Sequence, residues 1–448
     1  MSSATRSRMH ALASVLFALA GCADVRIVGE LAAEDSVRVV PGADARVIGS
    51  ALDDDGNLYI VGRFSGELGV DEALLRAPEN GAAFVMSFSP DGDHRWSQAW
   101  FSTNFAVASD VWVVGERVLV AGHVSGSTDA PIPFDAGRRQ SAVTFVFSRR
   151  DGTPIEATFV ARSASGNVQT KAIVEREGRE VLVGHYVGQT DLGGGALPRT
   201  PVNVDNAFVA FFANGSHRWS TAIEGANVQL ERAVLGPTDV VVAGGWFNRG
   251  ALFGSADARG RDAFMVRVNE GGVQRAWVFA SDGDDEVGGV AIRSEGGEVV
   301  VGFSEGELSV GDRRFAGLGG MDGFVLAIDE AGAVEWARML GSSANDQVSG
   351  VAIDRDDGTV IVAGTFEGTL AFADETFEAL GEADVFLAAF GPSGEELWAR
   401  RFGGAGPDSV GGLELAPDEV VLGLSIDGEV PGAEGITSGP ISVVRVAR

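Results

Sequence analysis

Short runs of alternating apolar and polar residues, closed by glycine, dominate the chain after residue 36, and no long stretch has helical periodicity. The clearest copy reads Gly350-Val-Ala-Ile-Asp354, Thr359-Val-Ile-Val-Ala-Gly-Thr-Phe366, Asp384-Val-Phe-Leu-Ala-Ala-Phe390 and Glu396-Leu-Trp-Ala-Arg-Arg-Phe402, four strand signals bounded by Gly, Asp or Ser. The pattern repeats. A glycine closes an apolar strand at Gly62, Gly122, Gly184, Gly244, Gly302, Gly364 and Gly423, about 60 residues apart on average. A second apolar strand is centred on Phe84, Phe145, Phe208, Phe264, Phe324, Phe386 and Val443. Tryptophan follows at Trp96, Trp219, Trp277, Trp336 and Trp398, with Ala157 standing in for one copy.

Seven units of four antiparallel strands predict one all-β, seven-bladed propeller over residues 36–448. Turns between third and fourth strands carry Asp91-Gly92, Asp151-Gly152, Asn214-Gly215, Ala331-Gly332 and Ser393-Gly394, the residues that tight hairpins with positive φ require. The seventh unit ends after its third strand, at Arg448. Val37-Arg-Val-Val40 is therefore expected to supply its fourth strand, removing two exposed sheet edges.

Ahead of that strand, Arg6 and Arg8 precede an acid-free apolar run from Ala11 to Gly21 that is too short to span a bilayer. Residues 1–21 read as a signal peptide. Leu19-Ala20-Gly21-Cys22 resembles a bacterial lipobox, which makes Cys22, the single cysteine, the expected lipid attachment site. An ordinary secretory signal is the alternative. Residues 22–35 would then tether the propeller to a membrane, and Asp24, by resemblance to sorting patterns, points to the outer one.

Composition narrows the partners. With 34 Lys and Arg against 63 Asp and Glu, the formal charge of −29 repels phosphate backbones, so nucleic acid is excluded as the expected partner. A hydrophobic share of 45% excludes intrinsic disorder.

The order Gly-x-Ala-x-Asp, Gly-x-Phe-x-Gly-x-Leu, Asp-x-Phe-Val, Gly-x-x-x-Trp and Phe-Gly-Gly is carried by Val351 to Asp354, Gly364 to Leu370, Asp384 to Leu387, Gly394 to Trp398 and Phe402 to Gly404. It is similar to the seven-bladed β-propeller repeats of secreted and surface bacterial proteins. The resemblance implies the fold and brings no catalytic signature with it.

Candidate chemistry is sparse. Asp44, Asn104, Asn167, Asn227, Asp285, Asp346 and Asp408 recur at the crossing between blades and are expected around the mouth of the central channel. They read as Asx turns that fix the crossing, or as a ring of oxygen ligands for a cation or polar ligand. Asp53-Asp-Asp-Gly56 and Asp354-Arg-Asp-Asp-Gly358 share the spacing of calcium loops but lack the closing Glu, so solvated hairpin turns are expected; a calcium-binding integrin-type propeller is the runner-up. Gly302-Phe-Ser304-Glu-Gly306 matches a hydrolase elbow in letters, yet a strand and not a helix follows it.

His123 and His185 follow marker glycines in neighbouring units and make a weak metal pair without a third ligand. Trp100, Trp112 and Trp246 fall off the repeat and are expected to be exposed contacts. Lys171, Arg232 and Glu286 form a conceivable polar cluster in the channel. No cofactor and no metal-ligand set is assigned. The expectation is a monomeric, non-enzymatic binding or scaffold module for another envelope protein or surface polymer. Its contacts would come from the long loops Asp129 to Val143 and Asp191 to Asn206. A propeller hydrolase or lyase working at the channel mouth is the alternative.

Overall fold

The computed structural model describes residues 36–40, 44–71, 73–128, 133–161, 165–248, 252–254, 260–426 and 441–448. Cys22, the leader and part of the 129–143 loop lie outside them. Every regular element among the described residues is a β-strand. They form seven four-stranded antiparallel blades, whose first strands are Ala45–Leu52, Phe105–Val114, Val168–Arg176, Val228–Leu235, Asp285–Ile292, Asp346–Ile353 and Ser409–Leu415. These first strands touch in cyclic order, and the last meets the first. Ser36–Val40 pairs with Ile441–Ala447, from Ser36 opposite Arg445 to Val40 opposite Ile441, so the chain's beginning completes blade 7 as expected.

The order of strands fixes two faces. Loops between second and third strands and the crossings between blades share one face, here the upper; the tight turns within blades lie on the lower face. Second and third strands are buried almost throughout, as sheets covered on both sides must be. The buried apolar side chains form seven clusters, and each cluster bridges two adjacent blades. The core of this molecule is thus its seven seams.

A β-bulge explains the glycine period. Each first strand holds one, at Ile48, Ser109, Lys171, Glu231, Gly288, Ser349 and Gly411. The bulge swings the carbonyl of the residue two places earlier over the second strand. A Cβ at Gly62, Gly122, Gly184, Gly245, Gly302 or Gly364 would lie only 1.9–2.1 Å from that oxygen. Three markers shift by register. In blade 4 the crowded glycine is Gly245, one past the expected Gly244; in blade 7 Leu424 takes the equivalent place and Gly423 precedes it. In blade 2, Val143 and not Phe145 faces Gly122.

The tryptophans latch blade to blade. Trp96, Trp277 and Trp336 donate their indole N–H to the carbonyls of Arg149, Gly332 and Pro392 at 3.1, 3.0 and 2.9 Å. Each acceptor lies in the lower turn of the following blade. Trp219 instead stacks on Phe211 at 5.3 Å.

Candidate functional site

The seven crossing residues do not form one ring. Pairing of first with second strands puts Ala45, Ala106, Val168, Val228, Asp285, Asp346 and Asp408 at one equivalent position. Asp44, Asn167 and Asn227 lie one residue earlier, where blades 5 and 6 carry Asp284 and Asn345; Asn104 lies earlier still. The expectation of seven equivalent residues is corrected because a crossing that differs by one residue is invisible when only polar letters are aligned.

The two positions have different work. The outer one reaches back to the preceding blade: Asn167, Asn227, Asp284 and Asn345 accept the backbone N–H of Gln140, Asp205, Arg261 and Met321 at 3.0–3.3 Å. Those four N–H groups open third strands, so the side chain stands in for a missing ladder partner. The inner position is buried and ties its own crossing loop: Asp285, Asp346 and Asp408 each accept, at 2.7 Å, the N–H of the residue four before, Ser281, Ser342 and Gly404.

A charged cluster breaks the sevenfold symmetry on the first strands of blades 3 to 5. Lys171 and Glu231, the bulge residues of neighbouring blades, pair at 3.0 Å. Arg232 donates to the Glu231 carbonyl, and Arg261 bridges Asp284 at 3.2 Å and Glu286 at 3.0 Å. Lys171, Arg232 and Glu286 are therefore neighbours in one electrostatic field, but each bonds elsewhere and none bonds another of the three. Burial pushes Glu286 up, Glu231 adds to this, and the three cations oppose it. His123 and His185 face the same cluster. Burial, then the Lys171 charge, takes His123 down to about 3 and His185 well below its ordinary value, so both are neutral. Asp110, accepting the N–H of Ile173 at 2.9 Å, is pushed up to about 6 by burial.

Sequence reading missed Glu231, Arg261 and Asp110, because the bulge that sets their register leaves no mark in composition. Around the opposite part of the ring the matching positions are Gly288, Gly289, Gly350, Gly411 and Gly412. Gly288 and Gly411 approach the carbonyls of Val348 and Val47 in the next blade so closely that a Cβ would lie 2.2 and 2.3 Å from them.

Asp53 and Asp354 tie their own turns, accepting from the N–H of Asp55 and Asn57 and of Asp356, and also pair with the Arg149 and Arg448 guanidiniums. Ser304 ends a second strand in the slot of Phe64 and Phe366 and is buried. Among the described residues no three His, Cys, Asp or Glu side chains are placed to hold a metal ion. Trp100 is corrected from an exposed contact to a fully buried one, packed on Phe145 at 4.9 Å. Trp112 and Trp246 are half-buried, Trp246 beneath the Arg261 guanidinium.

The upper face is the apolar one. Of the nine large hydrophobic side chains exposed among the described residues, Leu74, Phe101, Val202, Phe253, Leu318 and Leu380 lie on its loops. Val202, 85% exposed, tops the long 187–205 loop, which is pinned by Asp191 accepting the N–H of Gly193 and Gly195.

No family model and no curated protein sequence matches this chain. Solved structures similar to it include virginiamycin B lyase from Staphylococcus aureus, at 9% identity and a TM-score of 0.47, over 92% of this chain and all of that one. The WD40 β-propeller domain of Doa1 follows at 10% identity and 0.46, covering 92% and 97%. Quinohemoprotein alcohol dehydrogenase from Comamonas testosteroni matches at 9% and 0.44, covering 91% and 76%. At these scores the likenesses decide nothing about function.

Proposed function

We propose that this protein is a non-enzymatic binding module, a propeller held to a bacterial membrane through lipid on Cys22, which grips an envelope protein or surface polymer with its upper face. One observation carries the reading: six of the nine exposed large hydrophobic side chains stand on loops around the upper face, against Ile155, Val273 and Leu397 at the starts of fourth strands on the lower. Exposed apolar groups rimmed by polar loops are what contact surfaces need. The anchor rests on the leader and lipobox pattern alone, and the outer membrane on Asp24.

A propeller hydrolase or lyase is the second reading, favoured by the Lys171, Glu231, Arg232, Arg261 and Glu286 cluster. Its cations are already engaged by carboxylates and carbonyls, and none of its five members is a Ser, Thr or Cys nucleophile, which leaves binding as the better account.

The test is capture from envelope extract with the mature chain, comparing wild type with Leu318→Glu/Leu380→Glu on the upper face and Leu397→Glu on the lower. A stoichiometric partner lost only with the upper-face pair supports the reading; a partner kept by that pair, or none enriched, sinks it. For the anchor, incorporation of labelled fatty acid by wild type and by Cys22→Ser decides.

A further inference from the structure

Three consecutive seams share a feature the other described seams lack. The third strand of one blade and the first strand of the next both open with a buried aspartate: Asp262 with Asp285 between blades 4 and 5, Asp322 with Asp346 between 5 and 6, Asp384 with Asp408 between 6 and 7. All six are 4% exposed or less. At the seam between blades 5 and 6 the two carboxylates converge on one point, for a Cβ on Gly341 would lie 2.5 Å from Asp346 Oδ2 and 3.0 Å from Asp322 Oδ1.

Each inner aspartate turns Oδ2 to a loop N–H, and so do Asp322 and Asp384, which accept from Leu318 and Leu380 at 2.7 and 2.9 Å. The other oxygen of Asp262, Asp285, Asp322 and Asp384 is buried with no partner among the described residues. The Ser304 hydroxyl, directly across the strands from both Asp285 and Asp322, is also fully buried and unpartnered. The carboxylate oxygens are buried acceptors without donors and call for a proton that no neighbouring group is placed to give, the Ser304 O–H being unpartnered as well.

Positive charge is scarce here. Arg401 lies 3.8 Å from Asp384, while Arg261 is taken by Asp284 and Glu286 on the rim. The remaining ionisable neighbours, Glu305 and Glu367, are acidic and bind the N–H of Asp284 and Asn345. Two buried carboxylates side by side cannot both stay charged without a cation, and a proton held between them removes one charge and makes one strong hydrogen bond.

We propose that the seams between blades 4 and 5 and between 5 and 6 are each closed by a carboxyl–carboxylate pair sharing a single proton near pH 6, while at the third seam Arg401 stands beside Asp384 instead. The direction of titration agrees: burial, with Asp262 beside it, pushes Asp285 up to about 8, and burial pushes Asp262 and Asp346 up to about 6. Because the raised values belong to the folded state, the pairs contribute stability fully below the unfolded carboxyl range. That contribution is lost as pH rises through about 6 to 8.

The experiment is urea unfolding of the mature chain in EDTA from pH 5 to 8.5, for wild type, Asp262→Asn/Asp285→Asn and Asp322→Asn/Asp346→Asn. Each paired substitution should remove about one proton from the number taken up on folding near pH 6. An unchanged proton count overturns the proposal. So does a stability gain from millimolar calcium at pH 8 that the substitutions abolish, since a cation would then do the proton's work. Should the variants not fold, infrared spectra of wild type at pH 6 decide: a protonated carboxyl stretch that disappears on unfolding upholds the pairs, and its absence refutes them.

Discussion

At the seam between blades 1 and 2, Ala82 opens the third strand and Ala106 the facing first strand; between blades 4 and 5 the same places hold Asp262 and Asp285. The backbone is the same at both. In the apolar seam the crossing loop is tied by Ser102, whose hydroxyl donates to the Ser125 carbonyl at 2.6 Å and receives the Phe105 N–H at 2.9 Å. In the acidic seam the Asp285 carboxylate does this, through Ser281. The same fold geometry thus has a neutral solution with no bearing on pH and an ionisable solution that ties the loop more strongly but leaves charge to be neutralised.

Moving one solution into the other's place should have the largest effect. Ala106→Asp puts a lone carboxylate at a seam that has neither its partner nor the loop that uses it, and should cost about 3 to 5 kcal/mol at pH 8, less in acid. Urea unfolding at pH 5 and 8 measures both. A loss below about 1 kcal/mol at pH 8 would mean that backbone spacing alone sets the seam. Next in size, and indifferent to the kind of seam, are the bulge glycines. Gly62→Ala and Gly302→Ala each press a Cβ against a carbonyl, at 1.9 and 2.0 Å, and should lose a similar amount, about 3 kcal/mol. Gly423→Ala, whose nearest neighbour is 3.2 Å away, should lose far less.

These glycines mark how far the sequence could be read. Blade count, strand order and ring closure follow from the spacing of Gly, Phe and Trp, because each answers to a local steric or packing demand that repeats. Register did not follow, and the crossing residues show why. Asp44 and Asp285 look alike as letters, but a bulge three residues on decides which one is buried, and a bulge depends on a carbonyl in space and not on any residue type. Asp262 and Asp322 stood in plain view in the Asp-x-Phe pattern. Their pairing with Asp285 and Asp346 is a contact between blades, which one-dimensional spacing does not encode.

The two parts of the ring should also answer oppositely to acid. Blades 2 and 3 bury His123 and His185 as neutral imidazoles, with His123 down near 3. An unfolded histidine takes its proton near 6.5, so between roughly 3 and 6.5 the unfolded chain holds more protons and stability falls as pH drops. Each such histidine is worth about 1.4 kcal/mol per pH unit across that window. His123→Phe, beside Phe105 at 5.6 Å, should remove its own share of this slope, while His185 and the carboxylate pairs keep theirs. Stability at pH 4.5 relative to pH 7 should then rise compared with wild type; an unchanged ratio would show that His123 is protonated in the fold.

The smallest effect concerns the latch at the lower face. Trp336 donates to Pro392 across the seam of blades 5 and 6, and Gly394 in that turn lies against its ring, so close that a Cβ would be 2.6 Å away. Trp398 occupies the next copy, but the fourth strand of blade 7, Ser36–Val40, precedes blade 1 in sequence, so no turn joins it to Ile441–Ala447 for an indole to cap. Trp336→Phe should therefore cost about 1 to 2 kcal/mol, a hydrogen bond plus ring contact, and Trp398→Phe less than half of that. Equal losses would mean that the tryptophan is kept for its bulk in the seam and that the bond across it adds nothing. A larger loss at Trp336 would make the lower turns the second set of ties, absent where the ring is sewn shut, that hold neighbouring blades in register.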